Sequence, residues 1–436
     1  MRLSWRHGAA LVGCAAVLLL PHSDASPPAP ELIYHHGVVL TMDDDRPRAQ
    51  AVAVAQGRVL AVGDDAEVLA LRRRSTRVID LGGRTVMPGF IDSHAHWIGD
   101  SARVGHTADT AVAAALRNGW TSITESFVDE DRLTQLRSMD AEGRLPLRVN
   151  AYLPVNFGDD TYGSWYLAYE PHHAYSAHLR LAGIKLFVDH EWGTDYHWVQ
   201  SDLDEYVLTA QRHGWQVAAH TVSALGHDQV LAAVEHARAA APDPDARHRV
   251  EHVVQLRDDQ LARMRALGVI ASIQPGIPGD MAKEPGFPAL VATGETRWIT
   301  RYRDIVDSGV RTIGGTDMPW QVLDLIGSPT GPPHGSALEA VHQAMTRASY
   351  SGRPPEDWQL AQTLTVEQAL RLFTVDAAYG TFEEGVKGTV TRGKYADLVV
   401  LTDDPTAVPV DSLLDVRALV TLVGGRAEYC GEPALC

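Results

Sequence analysis

Cysteine, positive charge and long apolar runs are all scarce in this chain of 436 residues. Only three cysteines are present, and none lies in a pattern typical of a catalytic thiol. The formal net charge of -17 argues against a surface that binds nucleic acid and against electrostatic docking on anionic membranes. The sequence has no low-complexity tract and no internal repeat, so a solenoid is excluded. What is left is a globular protein long enough for a barrel with a small companion domain.

The longest apolar run near the N-terminus, AALVGCAAVLLL, has about a dozen residues, fewer than the ~20 that a membrane span needs. Two arginines precede this run, and a small-x-small site follows it at residues 23–25. This order predicts a secretory signal peptide over residues 1–25, a secreted or extracytoplasmic location, and no stable membrane span after cleavage. An alternative is a lipoprotein, because LVGC ends at Cys14 like a lipobox. We favour the signal peptide, since the apolar run continues past Cys14.

The other two cysteines, Cys430 and Cys436, flank the segment GEPAL at the C-terminal end. In an oxidising compartment we expect them to form a disulfide. The alternative is a pair of unbonded thiols on a frayed tail.

The chain has strand-like ends and an alternating middle. Residues 31–85 and 385–430 are rich in strand patterns and glycine turns, and they predict one composite β-sandwich domain built from both termini. Between them, residues 86–384 alternate short apolar strands with segments of helical period. Eight such units favour an α/β fold, a (β/α)8 TIM-like barrel, over the runner-up, a doubly wound open sheet. The predicted barrel strands are Val86–Asp92, Trp120–Glu125, Leu147–Leu153, Gly183–Val188, Trp215–His220, Arg249–Val253, Val269–Ile273 and Val310–Gly315.

The first of these strands leads into two histidines, in VMPGFIDSHAHWIGD. Residues i and i+2 of a strand face the same side, so His94 and His96 are expected to project together at the mouth of the barrel. Two adjacent imidazoles make half of a divalent-metal site. Alone, the pair is a weak signal, because surface histidine pairs are common.

Further groups suited to metal binding follow the ends of other predicted strands. They are Lys185 in GIKLFVD, His220 in WQVAAH, His252 in RVEH and Asp317 in TIGGTD. Each of them alone could be a buried structural residue. Because the carboxyl ends of parallel strands meet at one rim of a barrel, their common position predicts a metal centre there.

The motifs PGFIDSHAH, GIK, AAH, EH and GGTD together resemble those of the amidohydrolase superfamily of metal-dependent hydrolases. The resemblance is greatest to imidazolonepropionase-like, dihydroorotase-like and amidohydrolase-3 type enzymes, the last including N-substituted formamide deformylase. It extends to both termini, which resemble the composite β-sandwich of that superfamily. One departure is that HWIGDSARVGHTADTAV passes quickly into a helix, where the deformylase group usually carries a long insertion.

The resemblance implies a cofactor and a reaction. It implies two divalent ions, with zinc as the default and manganese, iron or nickel as alternatives. His94, His96 and Asp317 would hold one ion and His220 and His252 the other, with Lys185 carrying a CO2-derived carbamate that bridges both. A metal-activated hydroxide, with Asp317 as proton shuttle, would then cleave a C–N bond other than a peptide bond in an amide, lactam or related cyclic compound.

Three other residues are candidates for contact with a small-molecule substrate. His190 and Trp192 lie in the loop expected after the fourth barrel strand, and Gln274 follows the seventh. Each of them could instead pack within its loop or brace a metal ligand. Alternative functions are a lactone or phosphotriester hydrolase, a mononuclear deaminase, or an exported metal-containing binding protein. The sequence leaves open whether the chain forms a homo-oligomer.

Overall fold

The computed structural model describes residues 28–157, 160–190, 195–196, 198–277, 294–320, 335–350 and 354–436. The predicted signal peptide and Cys14 lie outside the described residues. In chain order the strands are β1 Leu32–His35, β2 Val38–Leu40, β3 Arg48–Ala49, β4 Ala51–Ala55, β5 Arg58–Gly63, β6 Arg77–Asp80, β7 Thr85–Pro88, β8 Phe90–Ala95, β9 Trp120–Glu125, β10 Arg148–Pro154, β11 Asn156–Phe157, β12 Asp160–Thr161, β13 Leu179–Phe187, β14 Asp189–His190, β15 Asp195–Tyr196, β16 Gln216–Thr221, β17 Arg249–His252, β18 Ile270–Ile273, β19 Thr312–Gly314, β20 Leu398–Leu401, β21 Ala418–Val423 and β22 Arg426–Cys430.

The helices alternate with the middle strands. They are α1 Asp65–Leu69, α2 Ala108–Arg117, α3 Glu130–Ala141, α4 Gln200–Arg212, α5 Ala224–Ala240, α6 Asp258–Leu267, α7 Tyr302–Asp307, α8 Ala337–Thr346, α9 Asp357–Leu360, α10 Val366–Leu372 and α11 Val375–Gly380. Short 3-10 helices lie at Ser101–Val104, Trp165–Ala168, Thr296–Trp298, Val410–Asp415 and Pro433–Leu435. In the described part of the chain, no helix is both long and apolar enough to cross a bilayer.

Eight strands form one sheet, in the order β8, β9, β10, β13, β16, β17, β18, β19, with all neighbours parallel. The last strand returns beside the first: the Asp317 backbone N–H donates to the carbonyl of His94 at 2.8 Å. Gly315 permits this approach, because a Cβ there would lie 2.6 Å from the Cβ of His94. The sheet is therefore a nearly closed parallel barrel, as the alternating pattern predicts, and every strand ends at the same rim.

Strands from both ends of the chain make two further sheets. One has the order β22, β21, β20, β7, β2, β3, and the other has the order β5, β4, β1, β6. They share an apolar core that includes Leu32, Val54, Val86, Leu398 and Leu422. After β22, a disulfide joins Cys430 to Cys436. The domain boundaries stay predictions.

The strand predicted at Val86–Asp92 is divided at Gly89. The part before Gly89 is β7, which pairs with β2 and β20, and the part after it is β8, which pairs with β9 in the barrel. A Cβ at Gly89 would lie 2.1 Å from the Cγ2 of Thr121, so only glycine lets the chain pass so close to β9. The single-strand prediction was wrong because this contact joins residues distant in sequence.

Candidate metal centre

The two histidines of the H-x-H motif lie at the end of β8. Every position of β8 is buried, because the strand is part of the barrel wall, with one face toward the barrel interior and the other covered. His94 is its fifth residue and His96 follows directly, with 1% and 7% of their surfaces exposed. Their ring centroids are 5.7 Å apart. The structure thus brings this predicted pair together at the barrel rim.

Asp317 lies opposite this pair, three residues beyond the end of β19. Its Oδ1 is 3.4 Å from the Nε2 of His94 and 3.4 Å from the Nε2 of His96. Its backbone adopts a left-handed conformation, with φ of 56°. Such backbones are uncommon outside glycine and cluster at functional sites, so the surrounding structure must hold Asp317 in place.

That support comes from Asp92, which sequence reasoning missed. Its carboxylate accepts hydrogen bonds from the Thr316 backbone N–H at 2.9 Å and the Thr316 hydroxyl at 2.6 Å. It also accepts from the indole N–H of Trp97 at 3.0 Å. Burial raises the pKa of Asp92 to about 6, although these hydrogen bonds oppose the shift. Asp92 therefore ties β8 to the residue just before Asp317.

His252 and His220 close the other side of the centre. The ring of His252 lies 4.9 Å from that of His94 and 4.4 Å from that of His220. Three possible ligand atoms, one from each of His94, His252 and Asp317, lie within 4.8 Å of one another. His252 ends β17 with φ of 77°, which turns its side chain from the direction that strand alternation would give.

Buried carboxylate and guanidinium groups orient His94. Its Nδ1 lies 2.5 Å from Oε2 of Glu251, and Arg249 donates to both oxygens of that carboxylate at 2.7 and 2.9 Å. Burial would raise the pKa of Glu251, but Arg249 and His94 outweigh it and hold that pKa well below its usual range. An Nδ1–H donated to Glu251 leaves the Nε2 lone pair of His94 directed at Asp317, as metal-binding histidines require.

Arg249 and Glu251 were also missed by sequence reasoning. The available signal was RVEH, in which two charged residues alternate within a short apolar strand. Both side chains are almost fully buried, at 1% and 0% exposure. Charged residues buried this deeply in a strand are rare unless they are paired.

The imidazoles of His94, His220 and His252 are neutral near pH 7. Burial lowers the pKa of His94 to about 3, with the charge of Lys185 adding to the shift, and burial lowers the pKa of His252 to about 4. Burial likewise lowers the pKa of His220 well below its usual value. Neutral imidazole is the form that binds metal, so the donor set fits a divalent ion.

Lys185 lies on β13, with 1% of its surface exposed. Burial lowers the pKa of its amine to about 8, although the carboxylates of Glu251 and Asp317 oppose the shift. Burial would raise the pKa of Asp317, but the hydrogen bond from His96 helps to hold it below its usual range. The pKa of Lys185 therefore depends on the charges of Glu251 and Asp317, and the pKa of Asp317 depends on His96.

The predicted substrate contacts are only partly described. Gln274 is fully buried, and its Nε2 lies 3.4 Å from the hydroxyl of Ser272. Its side chain also acts to raise the pKa of His252, against the effect of burial. Whether Gln274 contacts substrate or braces a metal ligand stays a prediction. His190 ends β14, but its side chain and all of Trp192 lie outside the described residues.

Two acidic residues near the rim hold loops. Glu125 accepts hydrogen bonds from the backbone N–H groups of Ile98 and Gly99, at 2.6 and 3.2 Å. Asp189 accepts from the backbone N–H groups of Val222 and Ser223, both at 2.9 Å. Both residues therefore fix the loops that follow β8 and β16.

Two known proteins of different length resemble the chain in sequence. It is 25% identical over 337 residues to an N-substituted formamide deformylase of Arthrobacter pascens, which covers 71% of the chain and 57% of that relative. It is 23% identical over 424 residues to an imidazolonepropionase of Bacillus velezensis, which covers 84% of the chain and 88% of that relative. The chain spans about half the length of the deformylase and of two further curated relatives, at 57%, 40% and 43%.

A solved structure and a family profile complete the comparison. An uncharacterized metal-dependent hydrolase from Pyrococcus horikoshii superposes with a TM-score of 0.71 at 18% identity, over 87% of this chain and 99% of that one. This likeness shows the shared fold. The sequence profile of the Amidohydrolase family matches residues 77–109 and 100–429. The match covers most of the chain, confirms the resemblance seen in the motifs, and shows that the chain belongs to the amidohydrolase family.

Proposed function

We propose that the chain is a metal-dependent hydrolase that cleaves a C–N bond of a small amide, lactam or related cyclic compound. The observation that carries this proposal is the convergence of His94, His252 and Asp317, with ligand atoms within 4.8 Å of one another at the barrel mouth. The curated relatives include a formamide deformylase and an imidazolonepropionase, whose names support the same class of bond.

The proposed metal ligands fall into two groups. His94, His96 and Asp317 would hold one divalent ion, and His220 and His252 would hold a second. We propose zinc in both positions, because a set of imidazoles and one carboxylate suits it. Bound there, the ions would activate a water molecule for attack and polarise the carbonyl group of the substrate.

We propose that Lys185 carries a carbamate that bridges the two ions. In this reaction the neutral amine attacks the carbon of CO2, a new N–C bond forms, and the nitrogen loses one proton to solvent. A pKa of about 8 leaves roughly a tenth of the amine neutral at pH 7, far more than an ordinary lysine would offer. The product is an anion with two oxygens, which can serve two ions where a protonated amine serves none.

Asp317 is the proposed proton shuttle. Its carboxylate lies between two imidazoles and is ionised near neutral pH, so it can accept a proton from the attacking water. As the C–N bond breaks, Asp317 would deliver that proton to the leaving nitrogen, which departs as an amine. Asp92 and Thr316 would keep the carboxylate in position through both transfers.

Metal content is the first measurement. We expect about two metal ions per chain in the wild type by elemental analysis, and one or none in Lys185→Ala. The matched control is Lys387→Ala, which also removes a buried lysine, one that pairs with Glu383 at 2.6 Å. Labelled bicarbonate should give a carbamate carbon signal in the wild type and in the control, but not in Lys185→Ala. A single ion per chain in the wild type that Lys185→Ala leaves unchanged would refute the bridge and favour a mononuclear deaminase-type centre.

A substrate panel separates the remaining alternatives. Amides and lactams, lactones, phosphotriesters and amino-substituted heterocycles would be compared, with ammonia release recorded for the last group. Turnover confined to lactones or phosphotriesters would refute C–N specificity. No turnover and no metal after reconstitution would favour an exported binding protein.

We also propose that the protein is exported. The support is the order of basic residues, short apolar run and small-x-small site over residues 1–25, together with a disulfide at the C-terminal end, since such bonds persist in oxidising compartments. The mass of the purified mature protein should match cleavage near residue 25. A lipid-modified product that disappears in Cys14→Ser would instead establish the lipoprotein.

A further inference from the structure

Four aromatic rings meet on one side of the barrel mouth, at the ends of the second, third and fourth barrel strands. This ring cluster consists of Phe127, Phe157, Tyr162 and Phe187. Phe157 lies 5.1 Å from Phe187 and 5.5 Å from Phe127, measured between ring centroids. Tyr162 lies 5.8 Å from Phe127. All of these contacts are edge-to-face, the geometry that aromatic pairs favour.

The inner end of the ring cluster touches the proposed metal centre. Phe187 is two residues after Lys185 on β13, so both side chains face the barrel interior, with Phe187 nearer the mouth. The Lys185 Nζ lies 4.9 Å from the centroid of the Phe187 ring. The ring of His220 lies 5.1 Å from it, tilted by only 30°. A group bound against Phe187 would therefore lie beside the reacting bond.

Phe187 is held firmly in this position. Its backbone N–H donates to the Oδ1 of Asn156 at 3.0 Å, and its carbonyl accepts from the Nδ2 of Asn156 at 2.9 Å. The indole N–H of Trp198 donates to the same carbonyl at 2.9 Å. A ring fixed in this way can select substrates by shape, because little ordering is needed when they bind.

The outer end of the ring cluster is open. Phe157 has 42% of its surface exposed and Tyr162 has 38%, whereas Phe127 and Phe187 have 9% each. Exposed rings that continue a buried apolar surface are typical of binding sites. The cluster thus forms an uninterrupted apolar path from solvent to the proposed metal centre.

A neighbouring part of the mouth, beyond the end of β8, contains more charged groups. Trp320 lies 6.4 Å from the ring of His96, and the guanidinium of Arg103 lies 4.4 Å from the Trp320 ring. The Trp320 indole N–H donates to Asp100 at 3.0 Å, and Arg132 donates to the same carboxylate at 2.7 Å. Arg132 also lies 5.1 Å from the centroid of the Phe127 ring, so charged groups reach the ring cluster at Phe127. An uncharged apolar group therefore fits at the other end of the cluster, against Phe157 and Phe187.

We propose that the ring cluster is the subsite for an apolar, ring-bearing substituent of the substrate, next to the scissile C–N bond. This inference rests on the proposed function, since it places the substituent beside the same centre. Edge-to-face contacts with Phe157 and Phe187 would hold the substituent and exclude water, and the charged side of the mouth would face the polar part of the substrate.

The test compares two neutral amides that differ by a phenyl ring, 3-phenylpropanamide and propanamide. Dissociation constants would be measured by ligand-observed NMR on protein stripped of metal, in which no turnover occurs. Hydrolysis of both amides would be measured on the metal-loaded enzyme. We expect the wild type to bind the phenyl compound at least about tenfold more tightly, the ratio that one or two favourable ring contacts supply.

Variants at Phe157 test whether the ring cluster causes the preference for the phenyl compound. In Phe157→Ala the ratio of the dissociation constants of propanamide and 3-phenylpropanamide should fall about fivefold or more. Phe157→Leu should recover part of this ratio. Leu414→Ala is the matched control, because it removes a half-exposed apolar side chain outside the ring cluster and should leave the ratio unchanged. Equal binding of the two amides by the wild type would overturn the subsite, as would a ratio that Phe157→Ala leaves intact.

Two further outcomes are informative. A phenyl preference in stripped protein, with no hydrolysis of any amide, lactam or heterocycle of the substrate panel by the metal-loaded enzyme, would support the subsite and refute the proposed function. Hydrolysis without phenyl preference would do the reverse. A molecular mass in solution of twice the chain, falling to one chain in Phe157→Ala, would show that a second copy covers the rings and would overturn the proposal.

Discussion

The molecule has two buried regions, the core of the terminal sheets and the mouth of the barrel. They differ in the kinds of side chain that they bury. The terminal core is aliphatic, with Leu32, Val54, Val86, Leu398 and Leu422 among its members. The mouth buries ionisable groups instead, among them His94, Lys185, Arg249, Glu251 and Asp317. Buried apolar surface contributes about 25 cal/mol per Å2 to stability, whereas buried charge costs free energy unless it is paired.

The two regions also differ in where residues with left-handed backbone conformations lie. In the terminal sheets, the left-handed residues His36 and Gln56 are exposed and lie in turns, and the left-handed Met42 is half-buried. At the mouth, His252 and Asp317 adopt left-handed conformations while buried. The terminal sheets therefore serve stability, and the mouth retains strain and buried charge that a stability role alone would not explain.

Loss of the Asp317 carboxylate should have the largest effect. Asp317→Asn keeps the size of the side chain but cannot accept and release a proton, so kcat for a substrate found in the panel should fall by about 10²- to 10⁴-fold. The melting temperature should change little. The matched control is Asp189→Asn, which alters a loop-bracing carboxylate outside the proposed ligand set. An Asp317→Asn variant with wild-type kcat would refute the shuttle role.

Glu251 and Leu422 test the comparison directly, since each is buried in its own region. Glu251→Gln leaves the Arg249 guanidinium buried without a carboxylate and should cost about 3–5 kcal/mol of unfolding free energy. It should also lower metal affinity by about 10- to 100-fold, because His94 loses its orienting partner. Denaturant unfolding and metal titration measure the two effects.

The matched change in the terminal core is Leu422→Ala. It should cost a similar free energy, about 2–5 kcal/mol, through the cavity it leaves. Metal affinity should not change. If Leu422→Ala lowered metal affinity as much as Glu251→Gln does, the two regions would not be functionally distinct.

Much of this centre could be predicted from the sequence, because strand ends in a parallel barrel meet at one rim. That rule predicts that His94, His96 and Asp317 lie close together. Glu251 was missed because the prediction looked for ligands and not for the groups that orient them. The position of His252 depends on a left-handed backbone at the end of β17, which neighbouring residues do not encode.

The division at Gly89 could not be predicted for a related reason. Its neighbours Val86 and Ile91 form an apolar run that reads as one strand. The division follows from a contact with Thr121, on the next barrel strand. Local pattern predicts elements well, but contacts between distant residues decide where they are divided.

Acid should destabilise the mouth through its buried imidazoles. The pKa of His252 is about 4 in the folded protein and about 6.5 when unfolded, so the unfolded chain binds more protons between these values. The stabilisation is fully present above pH 6.5 and is lost as the pH falls from 6.5 to 4. Metal-free wild type should therefore lose about 3 kcal/mol relative to His252→Asn between pH 7 and 4.

This comparison is made with His252→Asn because other buried groups titrate in the same range. Burial raises the pKa of Asp92 to about 6 and that of Glu125 to about 7, and these carboxyls add stability as the pH falls. Their contribution is common to both proteins and cancels in the difference. A difference in unfolding free energy that stays constant from pH 7 to 4 would contradict the neutral, buried state of His252.

The disulfide should give the smallest effect, and it lies at the edge of the terminal sheets. Cys430 and Cys436 are six residues apart, so their bond closes a short loop and should add about 2 kcal/mol by restricting the unfolded chain. In the double variant Cys430→Ser/Cys436→Ser, unfolding should shift by that amount, while metal content and the phenyl preference stay at wild-type values. Because β22 forms strand pairs only with β21 within the described residues, at the edge of its sheet, the loss should remain local. A fall in metal content would mean that the edge of the terminal sheet supports the barrel mouth. The terminal sheets would then contribute to metal binding as well as to stability.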